Sequence, residues 1–133
     1  MTIILILSCW VLAAFCNAIM DVLAFKFKRS VFRNMNEQYW NPAKSWRNKY
    51  KNKMAYQGAA FPGSTTTLSF VTDAWHLFQM LSNSFLALSV VIVFQDLFDL
   101  NIWECLLSFL GLKLVWGVTF ETFYSSILRI KKS

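Results

Sequence analysis

The chain is poor in the residues that make turns and in those that carry acid. Its 133 residues include only four glycines, two prolines, seven Asp and Glu, and a single histidine. No Gly-rich phosphate loop, P-loop or GxSxG nucleophile elbow occurs. Gly111 and Gly117 are six apart and so make no GxxxG helix-pairing motif. These absences argue against an ATP-driven function of the soluble kind, and no motif indicates a cofactor. Cys9, Cys16 and Cys105 form no CxxC and no zinc-like spacing. All three fall in apolar runs, so they read as small buried hydrophobes rather than a disulfide framework. Charged residues make up 15% of the chain, against about 25% in a soluble domain.

What is abundant is apolar. The chain is 56% hydrophobic and 17% aromatic, and this surplus has to face something other than water. A net charge of +6 raises the question of nucleic acid, but the distribution of the charge answers it. Nine basic residues fall within residues 26–53, and Arg129, Lys131 and Lys132 close the chain. Basic clusters flanking apolar helices are juxtamembrane segments that meet anionic headgroups. The expected partner is therefore a lipid bilayer, with no nucleic acid.

Three apolar runs are long enough to span about 30 Å of hydrocarbon, and they predict an all-α integral membrane protein forming one membrane domain over residues 1–133. The spans cover about 3–25, 68–94 and 102–128. The first has no basic residues before it and a bulky Phe15 ahead of Cys16. It therefore reads as an uncleaved helix rather than a signal peptide or lipoprotein leader. Residues 95–101 form a short turn with Asp96 and Asp99 and no basic residue. Asn101 and Glu104 have the spacing of a capping box for the third span. By the positive-inside rule, the basic loop of about 26–67 and the basic tail are cytoplasmic, and the short turn and the N-terminus are outside. Compactness points to a bacterial inner-membrane location.

The loop interleaves basic residues with Phe27, Phe32, Tyr39, Trp40, Trp46, Tyr50 and Tyr56, a composition suited to the headgroup zone. Lys26, Lys28, Arg29, Arg33, Trp40, Trp46, Arg47 and Lys49 are the expected headgroup contacts. Residues 26–39 are expected to extend the first helix or to lie in the interface. Asn41-Pro42 should end that segment, Phe61-Pro62-Gly63 should turn, and residues 64–67 offer caps for the second span.

Asp21, Asp73, His76 and Glu121 lie inside or at the ends of the apolar runs, where hydrocarbon makes an ionisable group costly and hence a functional candidate. Asp73, His76, Met80 and Asn83 are spaced to share one face of the second span. Ala14, Asn17 and Asp21 do so on the first, and Lys113, Gly117, Glu121 and Tyr124 on the third. At about 1.5 Å per residue, Asp21 and Asp73 lie roughly 7 Å from the cytoplasmic boundary, and His76 and Glu121 roughly 12 Å. If the three polar stripes face one another, the four groups meet in one site, supported by Asn17, Asn83 and Lys113.

Three functions compete with a role as polar glue between helices. The leading expectation is an oligomer that moves or senses a proton, cation or small solute through Asp/His/Glu groups. The alternative is a membrane-embedded enzyme on a lipid or isoprenoid substrate, with His76 as general base oriented by Asp73. The third is an accessory subunit of a larger complex. A metal held by one histidine and three carboxylates is conceivable in charge terms, but no HxxxH or ExxH pair supports it. Three spans enclose little interior, so a homo-oligomer or a larger membrane complex is expected. Single cysteines at Lys49 and at the C-terminus should both react with an impermeant thiol reagent from the cytoplasmic side. Labelling from opposite sides would remove one span.

Overall fold

The computed structural model describes residues 1–123, with Glu121 described by its backbone alone. The described residues are helical throughout apart from turns and one isolated bridge between Tyr50 and Ala59. In chain order they form α1 (Thr2–Lys26), α2 (Glu37–Trp40), α3 (Pro42–Ser45), α4 (Ala74–Phe98) and α5 (Ile102–Glu121). Helices α1, α4 and α5 are each long and apolar enough to cross a membrane, which is consistent with a multi-pass integral membrane protein. Their outer faces are large and apolar: Ile3, Phe25, Leu97, Ile102, Trp103 and Leu107 are all exposed. Residues 124–128 of the expected third span lie outside the described residues, as do Tyr124 and the basic tail.

The ends of the long helices follow local chemistry. Helix α5 begins at the expected capping box: the Asn101 side chain accepts from the backbone of Trp103 and Glu104, and the Glu104 side chain accepts from the Asn101 N–H. Helix α4 starts six residues later than hydropathy alone suggests. Residues Ser69–Val71 instead make a single tight 3-10 turn. The α4 cap is Asp73, whose carboxylate accepts from the His76 backbone N–H at 2.9 Å. The expected caps at residues 64–67 do other work. Ser64 donates its hydroxyl to the Lys49 carbonyl at 2.7 Å. Gly63, at φ +84°, turns the chain so that its carbonyl accepts from Thr66 and Leu68. Helix α4 also runs four residues further than expected, leaving only Asp99, Leu100 and Asn101 before α5.

Contacts within the chain group into two units. One comprises Val11–Asn83. Along its part of α1, Ala13, Cys16, Ile19 and Leu23 are buried at helical spacing, followed by Phe27 just past the helix end. Ile19, Leu23 and Phe27 close on Ala74, with Phe32, Tyr39, Trp40, Trp75 and Phe78 packed around them. Trp40 stacks on Phe32 with ring centres 5.2 Å apart and leans on Phe78 at 6.1 Å. Ser82 of α4 donates to the Ala13 carbonyl of α1 at 3.1 Å.

The loop between α1 and α4 neither continues α1 nor forms one long interfacial helix. After α1 the chain makes a 3-10 turn at Phe27–Arg29 and then two one-turn helices. Asn36 caps α2 and Asn41 caps α3, where Pro42 takes the first helical position. Asn48 ties the loop to the start of α4: its amide donates to the Gln38 carbonyl at 2.6 Å and to the Thr72 carbonyl at 2.9 Å.

The other unit comprises Met1–Trp10 together with the chain from Ser84 onward. Within it Thr2 donates to Asp96 at 3.3 Å and Lys113 donates to the Ser84 hydroxyl at 3.2 Å.

Asn48→Ala should destabilise the Val11–Asn83 unit by about 1–3 kcal/mol, because two partly buried carbonyls lose their donor. Asn48→Asp should do at least as much, since a carboxylate cannot donate. Thermal unfolding in detergent reads the effect, and an unchanged midpoint for both variants would contradict it.

Candidate functional site

The site grows from one constraint, the unsatisfied N–H groups of the first turn of a helix. Asp73 answers it for α4, and its carboxylate is almost wholly buried, the residue being 1% exposed. The same carboxylate holds the His76 ring: Nδ1 lies 2.9 Å from Oδ1 and 2.7 Å from Oδ2. Thr72 adds a hydroxyl donor to Oδ2 at 3.1 Å. Asp73 thus fixes the backbone and the side chain of one histidine together. With Nδ1 turned to the carboxylate, a neutral His76 carries its proton there and leaves Nε2 as a base.

The side chain of His76 is 23% exposed, so it reaches the surface of a small recess of about 50 Å³ lined by Pro42, Ser45, Trp46, Asp73, Trp75 and His76. Ligand pockets that enclose a whole small molecule run to about 300–1,000 Å³. This recess has room for a reacting group, not for a metabolite. The Trp75 ring meets the His76 ring edge-on, with centres 5.1 Å apart. Ser45 is 1% exposed, and its hydroxyl has no hydrogen-bond partner among the described residues.

The electrostatics follow from burial and contact. Burial alone would raise the Asp73 carboxyl. The hydrogen bonds from His76, the charge His76 carries when protonated and the Thr72 hydroxyl together outweigh it, so the carboxyl lies below its ordinary value. Tyr39 is pushed up, first by burial and then by the negative charge of Asp73.

Of the four groups expected from the sequence to converge, the structure shows Asp73 and His76 together. Asn17 and Asp21 are exposed, because α1 packs through the stripe of Ala13, Cys16, Ile19 and Leu23, which lies round the helix from them. Small Ala13 lets α1 and α4 approach closely enough for the Ser82 hydroxyl to reach its carbonyl. Asn83 is half-buried on α4. Lys113 belongs to the other unit, bonded to Ser84. The side chain of Glu121 lies outside the described residues. Among the described residues, no three His, Cys, Asp or Glu side chains come together as metal ligands would.

Of the expected headgroup residues, Lys26, Lys28, Arg29, Arg33, Trp46 and Arg47 are exposed and Lys49 is half-buried. The Arg47 guanidinium lies 5.3 Å from the centre of the Trp46 ring. Trp40 differs, since it packs against the core. Sequence reasoning missed Ser45, Pro42 and Trp75 as site residues. Asn41-Pro42, read from the sequence only as the end of the preceding segment, also starts the helix that carries Ser45, and nothing local marked the serine itself.

The chain matches no protein-family model, no curated protein and no solved structure.

A carboxyl held low in the folded state stabilises the fold above its unfolded value, about pH 3.9. That contribution disappears as pH falls through the lower, folded value. Melting in detergent between about pH 6 and pH 2 should therefore show, below about pH 4, an acid-side loss in the wild type that Asp73→Asn lacks. Identical acid limbs in the two proteins would contradict the assignment.

Proposed function

We propose that this is a small multi-pass membrane enzyme that acts on a lipid or isoprenoid substrate, with His76 as general base and Asp73 as the group that orients it. The carrying observation is the 2.7 Å contact between His76 Nδ1 and the buried Asp73 carboxylate. General-base catalysis needs a ring held in one tautomer with its other nitrogen facing the substrate. The position of the pair, immediately before and one turn into an apolar span, suits a substrate that arrives from the bilayer. The basic and aromatic loop, with Trp46 in the wall of the recess and Arg47 against its ring, suits the headgroup zone. In this reading the loop and the C-terminus are cytoplasmic and the N-terminus is outside, in a membrane of the bacterial inner type.

A specific observation supports a second reading, in which an oligomer moves or senses a proton, cation or small solute. Asn17 and Asp21 are exposed on a helix otherwise made for hydrocarbon. A second copy or a partner subunit covering that face would relieve the cost of leaving them in lipid.

In phospholipid vesicles, His76→Ala should lower turnover of the lipid, followed by mass spectrometry, by about 10²–10⁴-fold, assayed well below a melting midpoint that falls because buried Asp73 loses its ring partner. Full turnover in a folded His76→Ala protein would overturn the enzyme reading. Proton or cation flux that vanishes in Asp21→Asn, with no lipid turned over, would favour the second.

A further inference from the structure

We propose that Ser45 is a nucleophile activated by His76, and that the recess cleaves acyl esters presented by the membrane. The proposal deepens the general-base reading and rests on it. Its first support is Ser45, a residue of the recess wall together with His76 and Asp73, whose hydroxyl is buried and without a partner among the described residues. A buried hydroxyl left unpaired costs free energy that an alanine at the same place would not. Its second support is the order of the other two groups, a buried carboxylate on Nδ1 and a ring whose Nε2 is turned away from it. This is the relation a serine nucleophile requires of its base and orienting acid.

Ser45 and His76 do not hydrogen-bond to each other here. Contacts between nucleophile and base commonly tighten only when substrate arrives. The walls decide the substrate class. Pro42, Trp46 and Trp75 are largely apolar, and among the described residues no lysine or arginine lines the recess. A neutral acyl carbonyl suits such walls better than a phosphoryl anion, which calls for cationic or backbone N–H partners.

The reaction balances as follows. The Ser45 Oγ–H proton passes to His76 Nε2 as Oγ bonds to the acyl carbonyl carbon. The bond from that carbon to the alcohol oxygen breaks, and the departing oxygen takes the proton from His76. Water then bonds to the acyl carbon, giving a proton to His76, and the Oγ–carbon bond breaks as that proton returns to Oγ. The products are a carboxylic acid and an alcohol, and Asp73 stabilises the imidazolium that forms twice along the way.

The test uses the full chain in detergent with a fluorophosphonate probe and with p-nitrophenyl butyrate. Mass spectrometry should find one adduct, on Ser45. Ser45→Ala should abolish the adduct and lower ester cleavage at least a hundredfold, and His76→Ala should slow labelling by a similar factor. Ser45→Cys, which keeps a nucleophile of nearly the same size, should still be captured by an activated acyl ester. A folded wild type with no adduct on Ser45, or cleavage undiminished in Ser45→Ala, would overturn the proposal. If lipid turnover in vesicles still depends on His76 in that event, the general-base reading survives. If it does not, both fall.

Discussion

The Val11–Asn83 unit depends on one buried carboxylate. Asp73 has to be ionised to cap α4 and to hold His76, and a carboxylate is expensive to bury without partners. The structure supplies them from three directions: the His76 backbone, the His76 ring and the Thr72 hydroxyl. The next carbonyl back, that of Thr72, takes the Asn48 amide. The loop is thereby fastened to the start of the span, and Ser45 is brought to the same recess as the histidine. Remove the carboxylate, and the cap and the ring orientation lose their common anchor.

Much of this was legible in the sequence. The lengths of the apolar runs gave the three long helices, and Asn101 with Glu104 gave the capping box. The three-residue spacing of Asp73 and His76 marked their contact. These are local signals, readable within a turn or two of chain. What the sequence could not show was which stripe of α1 turns inward. Ala14, Asn17 and Asp21 compete there with Ala13, Cys16, Ile19, Leu23 and Phe27, and the choice depends on area buried against partners far along the chain. The start of α4 was obscured for a related reason. Hydropathy runs smoothly through residues 68–73, and only the Asp73 carboxylate, seen from the His76 backbone, fixes the first turn. Ser45 and Asn48 sit in a basic loop with no periodicity, and their roles exist only through contacts with residues 72–76.

The loop also changes how the basic cluster should be understood. Trp40, half-buried, packs against the core, while Trp46 and Arg47 stay exposed. Aromatic residues in such a segment thus divide between those packed on the core and those left exposed. Composition alone treats them as one group.

The connector of Asp99, Leu100 and Asn101 has a consequence for how the protein reaches its membrane. Three residues extend at most about 10 Å, far short of the roughly 30 Å of hydrocarbon. The end of α4 and the beginning of α5 must therefore emerge on the same face. The two segments enter as one helical hairpin, and neither can be inverted without the other. Orientation becomes a single binary choice for the pair.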